Sequence, residues 1–96
     1  MHAVLRSYSG EGAKQLFHVL EKNKAEVERL ARSIAGFVSF SLVRTDGGGL
    51  TLSVCRDKAG TDESMRVARE WIMKNAGNIG AAPPAVTEGE VILQAT

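Results

Sequence analysis

Apolar positions along the chain follow two periods, and the switches between them mark the elements. His2 to Tyr8 (HAVLRSY) reads as a short strand that stops at the run Ser9-Gly10-Glu11-Gly12. From Ala13 the period lengthens. Ala13, Leu16, Phe17, Leu20, Val27, Leu30, Ala31 and Ile34 recur at spacings of three and four, which predicts a helix with one buried stripe. The stripe keeps its phase through the polar segment EKNKAE, but Asn23 weakens the helix there and marks a point for a break. Gly36 supplies a C-terminal stop. The segments Phe37–Thr45 (FVSFSLVRT) and Leu50–Cys55 (LTLSVC) alternate and predict two strands. A second helix follows, with Thr61 placed as its N-cap and Asp62 and Glu63 in a first turn where the helix dipole favours negative charge. Its buried stripe is Met65, Ala68, Trp71, Ile72 and Ile79, its outer pairs are Asp62–Arg66 and Glu70–Lys74, and Gly77 or Gly80 ends it. AAPP is a connector, and the turn Glu88-Gly89 leads into a last strand, Glu90–Ala95. The order is β-α-β-β-α-β.

Three consecutive glycines, Gly47 to Gly49, separate the middle strands. A phosphate cradle needs such glycines to open a helix, and here a strand follows, so they are read as a corner. Strand faces then choose the loop. A two-residue Gly47-Gly48 turn would put Phe40 and Leu42 on the face opposite Leu52 and Val54, because a one-residue slip exchanges faces. A three-residue loop with Asp46 opposite Leu50 instead gathers Val38, Phe40, Leu42, Leu50, Leu52 and Val54 on one side, with Ala3 and Leu5 beside them. Glycine supplies the positive φ such a loop needs.

That apolar side is expected to receive both helices, since right-handed crossovers place them together. The chain is therefore expected to fold as α+β, a four-stranded antiparallel sheet with two helices on one face. The second face would carry His2, Val4, Arg6, Tyr8, Ser39, Ser41, Val43, Thr51, Ser53 and Cys55, with Glu90, Ile92 and Gln94. A sheet bare to water usually shows more Lys and Glu. This hydroxyl-rich side is accordingly expected to be covered by the same face of a second copy, giving a homodimer.

Composition narrows the function classes. Ninety-six residues make one domain, 1–96, with a modest core. Twelve basic against 11 acidic side chains leave a net charge of +1 and no charged block, which argues against a nucleic-acid or anionic-membrane partner. No apolar run is long enough to cross a bilayer. The N-terminal segment has Arg6 in its middle and no apolar signal core, so a cytoplasmic location is the expectation. Cys55 is the single cysteine, which excludes an internal disulfide and fits a reducing compartment. His2 and His18 have no carboxylate or cysteine at ligand spacing, so neither a metal nor a cofactor is expected. His2 is expected to fray beside the start methionine, and His18 to face solvent.

The segment RSIAGFVSFSLVRTDGGGLTLSVC resembles the helix–Gly–strand–hairpin region of the dimeric α+β barrel superfamily, which includes antibiotic-biosynthesis-type and haem-degrading monooxygenases. DKAGTDESMRVAREWI and PPAVTEGEVIL resemble the matching segments of an uncharacterised bacterial branch, so the likeness runs from His2 to about Leu93. It implies a ferredoxin-like monomer whose sheet closes with its partner's into a barrel, with a pocket between sheet and helices. Haem-degrading relatives use an Asn in the first strand, then a Trp and a later His. This chain has Trp71, but its first strand offers Arg6 and Ser7, and no His follows Trp71. Without an axial ligand, haem chemistry is not expected. The cofactor-free monooxygenases set Asn, Trp, Tyr and Arg around a polyaromatic substrate. Arg6, Tyr8 and Trp71 imitate part of that set, again without the Asn.

Each candidate has a plainer role beside the functional one. Trp71 lies on a buried stripe, as a core aromatic or as a pocket wall. Arg6 cannot be buried unpaired: it binds a substrate carboxylate, or it pairs with Glu90 or an acid of the partner chain. Tyr8 anchors a ligand through its hydroxyl or closes the strand at the rim. Cys55 reads as a small buried apolar residue, with no histidine placed to activate it. An RNA-recognition domain, a metal-carrying chaperone and an acylphosphatase share the element order, and each lacks its motif here. The resulting expectation is a small dimer that binds a small hydrophobic or aromatic ligand through Arg6, Tyr8 and Trp71 without catalysis. The alternative is a cofactor-independent monooxygenase, or a related small enzyme, acting on an aromatic or quinone-like substrate.

Overall fold

A computed structural model describes residues 1–96. The elements are β1 (His2–Ser9), α1 (Ala13–Lys22), α2 (Lys24–Arg32), β2 (Phe37–Thr45), β3 (Gly48–Cys55), α3 (Lys58–Ala76), a single 3-10 turn (Gly77–Ile79) and β4 (Ala85–Glu90). All neighbouring strands are antiparallel, in the order β2-β3-β1-β4, and the helices cover one face. The fold is ferredoxin-like α+β. The long predicted helix does break at Asn23, whose side-chain amide donates to the Val19 carbonyl at 2.8 Å. The second piece ends at Arg32 with Ser33 as its C-cap, ahead of the expected stop; Gly36, at φ 82°, a left-handed value that favours glycine, turns the chain into β2 instead. No helix is long and apolar enough to cross a membrane.

The hairpin departs from the expected loop. Thr45 pairs with Gly48, so the connection is Asp46-Gly47 and not Gly47-Gly48-Gly49. Neither loop residue has a positive φ. Gly48 and Gly49 belong to β3, where they let α1 approach the sheet. A Cβ on Gly49 would lie 2.3 Å from the Phe17 ring, and one on Gly48 would lie 2.6 Å from the Ala13 side chain. The glycines make room for a helix more than they make a corner.

This register reverses the expected faces. Phe40 sits opposite Ser53 and Leu42 opposite Thr51, while Leu50 and Leu52 face Val43 and Ser41. Directly opposed residues share a face. The helices therefore cover Val4, Arg6, Tyr8, Thr51, Ser53 and Cys55, all buried, together with Phe40 and Leu42. The predicted second-copy cover for the hydroxyl-rich face is thus supplied by the chain's own helices. Ala3, Leu5, Leu50 and Leu52 form the open side instead. The physical reason is that small hydroxyls bury well when partnered. Thr51 accepts from Arg6, and Ser64 of α3 donates to Ser53 at 3.2 Å.

Three local expectations also change. The N-cap of α3 is Asp57, whose carboxylate accepts from the Gly60 N–H at 3.1 Å, and Thr61 lies fully buried one turn inside. The outer pairs shift with it, to Lys58–Asp62 and to Arg66 between Glu63 and Glu70. The last strand is Ala85–Glu90 and not Glu90–Ala95, so Glu88 and Gly89 pair with Val4 and Ala3 and form no turn. Ile92 and Leu93 beyond it are exposed. His2 is held and not frayed: its Nδ1 lies 2.8 Å from the Thr61 hydroxyl and its Nε2 3.6 Å from Glu88. His18 is exposed and Cys55 is buried against Gly60.

Candidate functional site

Leu16, Phe17 and Leu20 of α1 pack with Tyr8, Trp71 and Ala76 into the core. The Tyr8 and Phe17 rings meet edge to face at 5.7 Å. Beside this core, α2 buries no residue completely. Its Val27, Leu30 and Ala31 stand off from the sheet and leave a space bounded by β1, β2, β3, α2 and α3. The volume of this cavity, open on one side, is about 50 Å³. Twelve of its 15 lining residues are hydrophobic, and Arg6 is the only charged one.

The three residues singled out in the sequence, Arg6, Tyr8 and Trp71, all line this space. Arg6 and Tyr8 are two apart on β1 and so project to the same side. Arg6 is 5% exposed, and its Nε donates to the Thr51 hydroxyl at 2.9 Å. The expected ion pair with Glu90 is not formed, because the β1–β4 register sets Arg6 opposite Val86 and Glu90 opposite His2. No fully enclosed side-chain nitrogen or oxygen lacks a partner. The two terminal nitrogens of Arg6 and the Tyr8 hydroxyl bond to no protein group and so are not fully enclosed, and both residues line the cavity.

Trp71 is anchored at its polar end. Its Nε1 donates to the Glu26 carboxylate of α2 at 3.1 Å, which ties α2 to α3 across the cavity mouth. Glu26 and Ser64 were not anticipated. Ser64 has a readable signal, since Ser64, Ala68 and Trp71 fall on one helical stripe, whereas the expected stripe begins one residue off that line, at Met65. Glu26 had none, because only the fold brings it to an indole 45 residues away.

Electrostatics at the site follow from burial. Desolvation lowers the Arg6 pKa, nearby Tyr8 opposes that shift, and the positive charge of Arg69 adds to it. Burial raises the Tyr8 phenol above its ordinary 10.0, against the pull of Arg6. A raised folded-state pKa keeps the neutral phenol favoured. Its stabilising contribution is complete below pH 10 and is lost as pH rises from there through the folded value. Tyr8 is the only tyrosine, so absorbance at 295 nm reports it alone. We expect its midpoint above 10 in the folded protein and the melting temperature to fall over the same range. A midpoint at or below 10 would contradict the burial. The Cys55 thiol is also raised, by burial and then by Asp57, which keeps it protonated and unreactive at neutral pH.

No protein-family model matches this sequence, and neither does any curated protein. Solved structures do match in shape. A protein of unknown function from Nitrosomonas europaea, NE2512, superposes with a TM-score of 0.72 at 17% identity, over 99% of this chain and 91% of that one. A Bordetella bronchiseptica protein provisionally described as an antibiotic biosynthesis monooxygenase gives 0.67 at 18% identity, over 96% and 97% of the two chains. SnoaB, a cofactor-independent oxygenase from Streptomyces nogalater, gives 0.65 at 15% identity, over 97% and 94%. The chain has the fold of the antibiotic-biosynthesis-monooxygenase-like proteins of the dimeric α+β barrel superfamily.

Proposed function

We propose that the protein is a homodimer that binds a small apolar or aromatic molecule in the cavity between sheet and helices, without transforming it. The observation that carries this reading is the wall itself: an apolar surface broken by Arg6, Tyr8, Thr51 and Ser64, with Trp71 at one side. Ligand sites have this make-up, mostly apolar with a few convergent polar groups. The oxygenase alternative has the fold of SnoaB in its favour. It has less support from the site, because the wall contains no carboxylate, imidazole or amide side chain to take a proton from a substrate.

The homodimer rests on the open side of the sheet. Ala3, Leu5, Ser7, Ser41, Val43, Leu50, Leu52, Ala85 and Thr87 face outward, and no charged residue stands among them. The reduced, buried thiol of Cys55 suits the cytoplasm, which we take as the location.

Trp71 is the only tryptophan, so its emission reads the cavity directly. Titration with single-ring aromatic compounds, neutral and charged, should give a saturable change for at least one of them. Ala68→Phe, which fills the space from α3, should abolish that change with little loss of melting temperature. Saturable binding that survives Ala68→Phe, or no binding by any member of the series, would overturn the reading.

A further inference from the structure

We propose that the polar end of the ligand is a carboxylate, held by the two free guanidinium nitrogens of Arg6 and by the Tyr8 hydroxyl. The inference rests on the binding reading above and names its chemical class.

Arg6 is the reason. Arg6 as a whole is 5% exposed, and a guanidinium on so buried a residue is costly unless its charge is met. The protein meets only one of its nitrogens, with the neutral hydroxyl of Thr51. No acidic residue forms an ion pair with it, and no carboxylate lines the cavity. The nearby charged group is Arg69, which has the same sign. Glu26, which bonds the lining residue Trp71, is engaged there. An acid from a second copy does not reach the site across the sheet, because Arg6 points away from the open face toward the chain's own helices.

Geometry selects the anion. The Nε–Thr51 bond restrains the rotation of the guanidinium plane and leaves the pair of terminal nitrogens of this cavity-lining residue without a protein partner. Two parallel N–H donors match the two oxygens of a carboxylate. Tyr8, neutral at physiological pH and unpartnered, supplies a third donor from the same strand face. A phosphate monoester would bring a second charge and a third oxygen to a wall whose remaining members are mostly apolar, and nothing there would meet them. The body of the ligand lies along Trp71, Phe40, Leu42 and Ile72.

The test compares matched pairs that differ only in the headgroup, benzoate against benzamide and phenylacetate against phenylacetamide, by calorimetry and Trp71 emission. Charged hydrogen bonds of this kind correspond to about 10- to 100-fold in affinity, so each acid should bind that much more tightly than its amide. The preference should hold from pH 6 to 9 and vanish as the carboxylate protonates below about pH 4. Arg6→Met should erase the ratio of acid to amide affinity, and Arg6→Lys should keep part of it. Thr51→Val, which frees the guanidinium to rotate without removing it, should narrow that ratio; it also serves if Arg6→Met fails to fold. Amides that bind as tightly as acids would overturn the carboxylate assignment and leave the apolar-ligand reading intact. Failure of every acid and every amide would overturn both. Tighter binding of a phenolate than of its matched carboxylate would also overturn the assignment.

Discussion

Gly49→Ala is expected to cost about 3 kcal/mol of stability, the upper part of the range for overpacked sites. The added methyl would sit 2.3 Å from the Phe17 ring, well inside contact distance. Phe17 has little freedom to withdraw, because it is 3% exposed and its ring stands edge-on to Tyr8. Either α1 lifts from β3 or the Tyr8–Phe17 pair is broken, and both loosen the cavity wall. A domain of this size has roughly 5–14 kcal/mol in all. The melting temperature should fall by about 12–24 °C. Gly89→Ala, on β4 with nothing within 4 Å of the new atom, is the control and should stay within about 0.5 kcal/mol. Phe17→Leu should recover part of the loss in the double variant, since the two side chains compete for one volume. A melting temperature for Gly49→Ala within 3 °C or so of the parent protein would show that the helix does not rest on that glycine.

Leu52→Lys is expected to convert the proposed homodimer into a monomer at micromolar concentration. Leu52 lies at the middle of the open side, between Leu5 on β1 and Ser41 on β2. The position is only half-buried in one chain, so a lysine there can keep its ammonium in water and folding loses little. In a twofold interface the same substitution enters twice and sets like charges near each other on a surface that otherwise has none. At about 2–5 kcal/mol for each buried unpaired charge, dissociation should strengthen by at least about a thousandfold. Light scattering should then give 10.3 kDa where the parent chain gives twice that mass. A parent chain already monomeric at this concentration, or a Leu52→Lys dimer, would remove the homodimer reading. Trp71 emission would still report whether the cavity forms, because its walls come from a single chain.

Much of the architecture was legible because periodicity is a local property. The strand–helix alternation and the break at Asn23 each depend on a few neighbouring residues and a backbone preference. Arg6, Tyr8 and Trp71 were legible as candidates for a related reason: an arginine inside a strand and an indole on an apolar stripe are chemically out of place unless something meets them. Thr51 and Glu26 were not, since their importance lies in partners that are distant in the chain.

The sequence by itself determined the order of elements, the ferredoxin-like layering and the residues with unusual chemistry, because these follow from hydrophobic period and burial cost. Only the tertiary structure decided the hairpin register, and with it which side of the sheet the helices cover. Both faces carry enough apolar surface to be buried. The choice was made by contacts no local pattern contains: Phe17 needs the bare backbone of Gly49, Gly60 needs the slim side chain of Cys55, and Thr51 and Ser53 find their partners only beneath α3 and beside Arg6.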